Sequence, residues 1–532
     1  IDSLAGVATA DFGAVAGQPI IRGLSGTRVK VLNNGTVIRD VSGLGPDHAI
    51  DASLSDLQQI EIVRGPSALM YSNGSLGGIV NVVDNTIPMT DLEGFSGFLG
   101  GESQSVNDGE AWDIAARGRV GGLNITYSFQ DQDLESYEIP DNAVLGMHDE
   151  HEDEDHEGEH EEDHDHDEHG AMDELANSDF ESSAHRLGLS TTGDWGYVGV
   201  SYTDLSTTYG IPFHGEHGDH EGHGDHGDEH GDDHDGDHEG DHDEAHEGEG
   251  HHSEHGEERI YAETESETVT FRGSLNTSFG WLNSVDFVFK DTDYQLSEGH
   301  IEVGHDDEHE GEEHEGEEHD NHDEHGPTVF SNESTEIQVA LDLSADERVR
   351  RLVFNYAEEE MSIIGEEAFM APVDSTETTL GFFSSDDLGF ANLDLGVRFD
   401  RIERDGFLSE MHDDEDHDEH DEDHDEEHEG DHDEEHHDDH HEGEMTFEPQ
   451  SYKEDAFSIA AMLTRELNEY ATMSLGLSSV SKVPSSIELF MNGEHLATNR
   501  YEVGDITLDT ERADSIDLTL SFERNGWYGT AS

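Results

Sequence analysis

The feature that most constrains this chain is a repeated segment of about ten residues in which apolar and polar side chains alternate. It recurs from about residue 94 onward, in stretches such as GLNITYSFQDQD (122–133), WGYVGVSYTDL (195–205) and STEIQVALDLSA (334–345). A period of two is typical of β-strands with one apolar face, because successive side chains of a strand point to opposite sides. We count about fifteen such segments, which predicts an all-β fold of long antiparallel strands.

The connections between these segments alternate in length, with short turns such as GDWG and SFGW at every second junction and long insertions at the others. Four insertions, which we call the His-acidic tracts, span 148–169, 214–258, 298–325 and 410–444. They hold 37 of the 40 histidines and 69 of the 132 acidic residues, and they contain no Lys or Arg. In an up-and-down meander all four emerge at one end. This asymmetry is typical of transmembrane antiparallel β-barrels with longer extracellular loops, and it does not fit a soluble sandwich or propeller.

The His-acidic tracts have almost nothing apolar to bury and repel themselves, so we expect them to be solvated and mobile. One interpretation is an acidic fringe suited to a salty medium, but this leaves the 37 imidazoles without a role. Near neutral pH many imidazoles offer a free lone pair, and a divalent cation displaces the proton from others. The tracts are therefore predicted to be metal-collecting loops with many weak sites. The predicted collecting residues are His214, His217, His220, His223, His226, His230, His417, His420, His424 and His428.

The overall charge and composition limit the partners. A formal net charge of −109 excludes nucleic acid, because a phosphate backbone needs a basic surface, and it favours cationic ligands. The absence of cysteine excludes disulfides and thiolate metal sites. We find no run of 18 apolar residues, no signal peptide, no Ser/His/Asp arrangement and no phosphate loop with a following Lys, so an enzyme is not expected. We interpret the chain as a fragment that lacks both ends.

The first ninety residues do not follow the alternating pattern. They contain IIRGLSGTRVKVLNNGTVIRD (20–40) and IEIVRGPSALMYSNGSLGGIVNVV (60–83), which predict short strands joined by glycine-rich turns. Ile21–Gly23 and the segment from Glu61 to Val82 resemble the signature of the plug domain of TonB-dependent outer-membrane receptors. The resemblance implies a plug domain at 1–90 inside an outer-membrane β-barrel at 91–532. The family's barrel has about 22 strands, so about seven would lie outside this fragment.

The same resemblance implies the setting and the partners. A receptor of this family lies in the outer membrane of a Gram-negative bacterium, surrounded by outer-membrane lipid, and is expected to be a monomer. It imports its ligand into the periplasm when the TonB–ExbB–ExbD complex, driven by the proton gradient of the inner membrane, pulls on the plug.

Two histidines outside the tracts have a distinctive context. His48 follows Asp47 in GLGPDHAID, a turn-rich plug loop, and adjacent Asp and His can present an oxygen and a nitrogen to one ion. His495 lies in a long connection of the barrel, and another long connection, GEEAFMAP, carries Glu366 and Glu367. If these loops fold inward, Asp47, His48, Glu366 and His495 form a four-ligand site of the kind that suits tetrahedral zinc.

These elements also resemble the zinc-uptake receptors of the ZnuD type. The matching parts are the PDHA loop, the GEEAF loop, the His-rich external loops and SIELFMNGEHLAT, from Ser486 to Thr498. In that subfamily the plug Asp and His, a barrel Glu and the His of the NGxHxAT loop bind zinc. The resemblance therefore implies Zn²⁺ as the transported ligand, with Glu367 open as the alternative to Glu366, while Ni²⁺, Cu²⁺ or Co²⁺ would accept the same ligands.

Other functions stay open at this point. A siderophore or cobalamin receptor of the same fold predicts an external cavity lined by aromatic or Arg side chains. A surface metal-buffering protein without transport would have no use for the plug signature. The third histidine outside the tracts, His185, begins a predicted strand without a comparable motif, and we interpret it as structural.

Overall fold

A computed structural model describes the chain apart from residues 1–3, 5, 14, 54–55, 141–173, 213–257, 303–325, 347, 366–369, 412–444 and 496–499. Regular structure in the described residues is almost entirely β, as predicted. The strands of the first region are β1 Val7–Phe12, β2 Ala16–Ile21, β3 Val29–Asn33, β4 Thr36–Val37, β5 Leu57–Val63 and β6 Gly78–Asp84. Short 3₁₀ helices lie at Gly26–Arg28 and Pro66–Met70.

The rest of the described chain forms one antiparallel sheet of 15 strands in which neighbours along the chain pair with each other, which confirms the predicted fold class. The elements are β7 Phe95–Gln104, β8 Gly109–Val120, β9 Leu123–Leu134, β10 Phe180–Gly193, β11 Gly196–Gly210, β12 Glu258–Asn276, β13 Ser284–Glu302, β14 Thr328–Asp342, β15 Val349–Ile364, β16 Met370–Asp387, β17 Asn392–Met411, β18 Met445–Asn468, β19 Ala471–Lys482, helix α1 Ser486–Phe490, β20 Asn492–His495, β21 Arg500–Val503, β22 Glu511–Arg524 and β23 Trp527–Ala531. In this list, α1 and the β20–β21 hairpin lie outside the large sheet, in the connection between β19 and β22.

The strand order determines where the connections emerge. Because each strand runs antiparallel to the next, the strand ends that flank the four His-acidic tracts all lie at one end of the sheet. The tracts themselves lie outside the described residues except for a few residues at their borders. One border differs from the prediction: β13 continues to Glu302, so the segment from Glu298 to Glu302 belongs to a strand rather than to a solvated tract.

The two faces of the large sheet have different chemistry. On the outer face Phe271 lies opposite Phe289, and Phe399 lies opposite Phe457, and all four rings are exposed. The inner face carries buried polar side chains such as Arg398. An apolar outer band around a polar interior is characteristic of outer-membrane β-barrels.

None of the described helices has the length and the apolar character needed to cross a membrane.

The first region lies against the inner face of the large sheet. The β1–β2 hairpin stands beside a four-stranded sheet of order β4-β3-β6-β5, in which β3 and β6 run parallel. Lys290 of β13 donates from Nζ to the Val37 carbonyl at 3.1 Å, and Arg398 of β17 donates from Nη1 to the Leu69 carbonyl at 3.2 Å. The first region is thus held by the wall as a plug inside the lumen.

The largest apolar core lies near the end of the sheet that carries the long connections. Tyr209 at the end of β11 and Phe330 at the start of β14 contribute fully buried rings. Val41 of the plug and Leu489 of α1 belong to the same core. Because plug, wall and the β19–β22 connection all supply side chains, this core fixes their relative positions.

Candidate metal centre

Four ionisable side chains from three parts of the chain meet beside this core. Asp47 and His48 lie in the plug loop between β4 and β5, Glu298 lies on β13, and His495 is the last residue of β20. Their potential ligand atoms all lie within 4.8 Å of one another. The exposed fractions are 0% for Asp47 and His48, 8% for Glu298 and 2% for His495, so all four are withdrawn from bulk water.

The two imidazoles face each other across this group. Their ring centroids are 5.1 Å apart and the rings are nearly parallel, with an interplanar angle of 7°. Asp47 Oδ2 lies 3.0 Å from His495 Nε2 and 3.4 Å from His48 Nε2. The edge of Phe330 contacts the His48 ring at 5.1 Å between centroids and closes the site on its apolar side.

The plug loop reaches this position through a close approach of its backbone. A Cβ atom at Gly45 would lie 2.1 Å from Asp47 Oδ1 and 2.8 Å from His495 Cε1. A larger residue at this position would therefore push the two side chains apart. On the other side of Asp47 and His48, the Ala49 amide donates to the Tyr209 hydroxyl at 3.0 Å. Gly45 therefore admits the His495 ring, while Tyr209 anchors the loop to the wall.

Glu298 reaches the site through the regular alternation of β13. Tyr294, Leu296 and Glu298 are two residues apart, and all three are buried on the inner face of the sheet. This alternation places the Glu298 carboxylate at the end of an apolar row, beside the plug loop. A buried carboxylate in such surroundings requires a compensating positive charge.

His495 is supplied by a compact segment between β19 and β22. Helix α1 begins with a capping box, in which Ser485 and Glu488 exchange hydrogen bonds, and β20 pairs with β21 directly after the helix. Glu502 of β21 places Oε1 3.7 Å from His495 Nδ1. A carboxylate behind the second ring nitrogen is the usual way in which proteins orient a metal-binding histidine.

The local charges set the protonation of the group. Burial alone would raise the pKa of Asp47, but His48 and the hydrogen bond from His495 outweigh it and lower the pKa to about 2. Burial lowers the pKa of His48 to about 4. Burial also disfavours the charged form of His495, yet its hydrogen bond to Asp47 and the nearby Glu502 carboxylate raise its pKa to about 10. At neutral pH Asp47 is thus ionised, His48 neutral and His495 protonated.

The donor set fits one tetrahedral ion. Donors that bind zinc at about 2.0–2.2 Å lie about 3.4 Å apart in a tetrahedron, which is close to the measured Asp47–imidazole distances. Asp47 Oδ1 and both ring nitrogens of His48 make no hydrogen bond among the described residues. Two imidazole nitrogens and two carboxylate oxygens, all buried and convergent, are therefore a donor set that could hold a divalent cation.

Comparison with known families accounts for the architecture around this site. The family model described as the TonB-dependent receptor plug domain matches residues 1–79, and the one described as the TonB-dependent receptor-like β-barrel matches residues 66–532. The chain belongs to the TonB-dependent receptors. This family consists of transport receptors rather than enzymes, in agreement with the sequence analysis.

Solved receptors share the fold at low identity. This receptor is similar to the FrpB iron transporter from Neisseria meningitidis (F3-3 variant), with a TM-score of 0.61 and 10% identity over 99% of this chain and 67% of that one. It is similar to the copper transporter OprC, with a TM-score of 0.60 and 11% identity over 98% of this chain and 65% of that one. It is also similar to the Serratia marcescens hemophore receptor HasR, solved with HasA and heme, with a TM-score of 0.59 and 12% identity over 98% of this chain and 66% of that one. The receptor chain thus spans about two thirds of their length, and the likeness shows the fold alone.

The structure brings together three of the four residues that the sequence predicted for the receptor's metal site, Asp47, His48 and His495. The predicted Glu366 and its alternative Glu367 lie in 366–369, outside the described residues, as do all ten predicted collecting histidines. The structure adds Glu298, which the sequence analysis had assigned to a solvated tract. The sequence signal that could have identified Glu298 is the period of two, which places it on the same strand face as Tyr294 and Leu296.

His185 lies apart from the site. It is an exposed residue within β10, where its Nδ1 lies 3.0 Å from the Tyr127 hydroxyl and its ring contacts Phe129. Both contacts are with side chains of β9, which is consistent with the structural interpretation.

Proposed function

We propose that this TonB-dependent receptor captures zinc at the Asp47–His48–Glu298–His495 site and releases it toward the periplasm when the TonB–ExbB–ExbD complex pulls on the plug. The observation that carries the proposal is the convergence of four buried ligand groups, two from the plug loop and two from the barrel wall and its β19–β22 connection. An ion at this point joins the moving part of the receptor to the fixed part. Movement of the plug therefore takes two ligands away from the other two.

The ligand chemistry supports a bare divalent ion rather than a chelate. The donor atoms lie within 4.8 Å of one another in a buried group, which leaves no room for a siderophore, heme or cobalamin between them. Cu(I) prefers thiolate and thioether ligands, whereas a tetrahedral set of nitrogen and oxygen donors suits zinc. Among the similar receptors, FrpB is named an iron transporter and OprC a copper transporter. The resemblance of the PDHA and NGxHxAT loops to ZnuD-type receptors supports zinc, with Ni²⁺, Cu²⁺ and Co²⁺ as competitors.

The His-acidic tracts extend this proposal to the cell exterior. They hold 37 histidines without one Lys or Arg, and the strand ends that flank them lie at the same end of the sheet as the metal site. Weak, exchangeable binding there raises the local concentration of the ion above the buried site. Glu366, between β15 and β16 in the chain, lies outside the described residues, and its role as a ligand stays a prediction.

Equilibrium zinc binding to the full-length, refolded receptor tests the proposal. The variant His48→Ala/His495→Ala should lose the tight site, with an affinity at least about 100-fold weaker, because two of four ligands are gone. The matched control is His185→Ala, which removes an exposed histidine from the outer face and should leave the affinity unchanged. A receptor without the four tracts, shortened so that Glu298 and the rest of β13 up to Glu302 remain, should keep the tight site and lose many weak ones. Equal affinity in wild type and the double variant would contradict the site.

Transport distinguishes this function from a surface metal buffer. Cells that depend on this receptor should accumulate zinc at low external concentration, and the His48→Ala/His495→Ala variant should not. A buffer would bind the ion in both the tracts and the site, yet no accumulation would follow in wild-type cells.

A further inference from the structure

The first hairpin of the plug contacts the ion-binding loop through one buried side chain. Gln18 of β2 is 7% exposed, and its side-chain amide donates hydrogen bonds to the carbonyl oxygens of Ser42 and Gly45. These two carbonyls lie on either side of a tight turn that leads directly into Asp47 and His48. One amide group therefore holds both ends of the turn that precedes the ligands.

The position of this turn controls the ligand geometry. Gly45 lies so close to the Asp47 carboxylate and the His495 ring that the space for a single methyl group is absent. Any shift of the Gly45 backbone must move Asp47 or His495. Two other hydrogen bonds of the turn are local, since Ser42 hydrogen bonds to Asp40, and the Leu44 amide donates to the Val41 carbonyl at 2.9 Å. Leu44 also packs against the large apolar core. Gln18 provides the bridge from this turn to another element of the plug.

The β1–β2 hairpin, which carries Gln18, connects the N-terminal part of the plug to the turn that precedes Asp47 and His48. β1 and β2 pair along their whole length, from Val7 opposite Ile21 to Phe12 opposite Ala16. Near the tip, Phe12 and Val15 pack against the apolar core that surrounds the metal site. A displacement of β1 is transmitted along this ladder to β2 and hence to Gln18, which faces Ala10 across the hairpin.

We infer that Gln18 is a positioning residue that couples the first hairpin to the ion-binding turn, so that movement of the hairpin weakens ion binding. The inference deepens the proposed function and rests on it. When the hairpin withdraws, Ser42 and Gly45 lose their donor, the turn relaxes, and Asp47 and His48 leave the geometry that an ion requires. Because such coupling is reciprocal, a bound ion must also stabilise the hairpin.

The test compares Gln18→Met with wild type in the full-length receptor. Methionine keeps the length and the apolar contacts of the side chain but has no donor for the two carbonyls. We expect zinc affinity to fall about tenfold, the lower range for loss of a group that orients ligands. We also expect zinc to slow amide hydrogen exchange in Ala16–Ile21 of wild type and to lose this effect in Gln18→Met. A role in folding alone would not abolish the dependence of that exchange on zinc.

Two further variants keep the test decisive. Gln59→Ala removes an exposed plug glutamine whose amide bonds only to Glu61 of its own strand, and it should match wild type in both measurements. Gln18→Glu replaces the donor with a carboxylate that repels both carbonyls, and it should weaken zinc binding more than Gln18→Met does. Equal affinity and equal zinc-dependent protection in wild type and Gln18→Met would overturn the coupling alone. Absence of tight zinc binding in wild type would overturn the proposed function and the coupling with it.

Discussion

Two of the groups of ionisable side chains between the plug and the barrel wall differ in how their charges are matched. In the first, Arg39 of the plug faces Glu359 of β15 at 3.0 Å and Glu377 of β16 at 3.5 Å, and Arg404 of β17 faces Glu377 at 3.4 Å. In the second, the metal centre, two carboxylates meet two imidazoles, and both ring nitrogens of His48 lack a hydrogen bond among the described residues. In the first group each carboxylate faces a guanidinium, although Arg39 Nε and two nitrogens of Arg404 lack a hydrogen bond among the described residues. Under the proposed function, a cation completes the second group.

This difference indicates two separate roles for charge at the same interface. The Arg39 group holds the plug to the wall whether or not an ion is present, because each carboxylate has its own guanidinium partner. The candidate metal centre already joins the plug loop to the β19–β22 connection through the Asp47–His495 contact at 3.0 Å, and under the proposed function a bound ion would add His48 and Glu298 to it. The interface therefore has one contact that does not depend on an ion and one that an ion would strengthen.

The largest effect is expected from removing the permanent contact. Arg39→Met leaves Glu359 and Glu377 buried without the plug's guanidinium, and loss of one partner of a buried ion pair costs about 3 kcal/mol or more. Amide hydrogen exchange in β3 and β4 should accelerate by about a hundredfold, measured by mass spectrometry on the full-length receptor. Zinc affinity should change by less than about twofold.

The distinction between the two groups fails if Arg39→Met alters both the hydrogen-exchange protection of the plug and the zinc affinity. A parallel loss of plug protection and of zinc affinity would mean that the two contacts form one cooperative unit. Glu359→Gln, combined with Arg39→Met, removes the carboxylate that Arg39→Met leaves without a guanidinium and should recover part of the lost protection, whereas Glu377 keeps Arg404.

A smaller effect, on zinc affinity, is expected from a change at the candidate metal centre. Glu298→Gln keeps the shape of the side chain but removes the charge that faces the ion, and zinc affinity should fall about 10- to 100-fold. Glu359→Gln is the matched control, because it makes the same change on a neighbouring part of the inner wall where the partner is Arg39. Isothermal titration with zinc on both variants measures the difference. If the control loses as much affinity as Glu298→Gln, the effect is one of overall charge and Glu298 is not a ligand.

The two groups also show how far sequence alone predicts this molecule. The alternation of apolar and polar residues predicted the antiparallel sheet and about fifteen strands, because a period of two is a local property of each strand. The plug signature predicted the domain inside it. The motifs around His48 and His495 drew attention to two segments 447 positions apart, and the structure brings them together. Their role as ligands stays a prediction.

The sequence analysis did not identify Glu298 and Gln18 as functional residues, and the reason differs for each. Glu298 stands at the border of a tract with many acidic residues, and only the inward register of Tyr294 and Leu296 separates it from them. Gln18 is a single amide in a short strand, and its importance arises from which carbonyls it meets. The first property depends on how the plug docks against the wall, and the second on how two elements of the plug pack together. Neither contact is encoded by a local pattern.

The smallest effect concerns the protons that the ion must displace. In the ion-free receptor the pKa of His48 is about 4 and that of His495 about 10, so between these values only His495 carries a proton that zinc must remove. Each ion should release about one proton, and affinity should rise about tenfold per pH unit from about pH 5.5 to 7.5. Titration in buffers with different heats of ionisation counts that proton. Two histidines with ordinary pKa values of about 6.5 would instead give an affinity that levels off above about pH 7, because both would already be neutral. Such a plateau would mean that Asp47 and Glu502 do not hold the proton on His495, and that the charge of Asp47 is not matched by an imidazolium in the ion-free receptor.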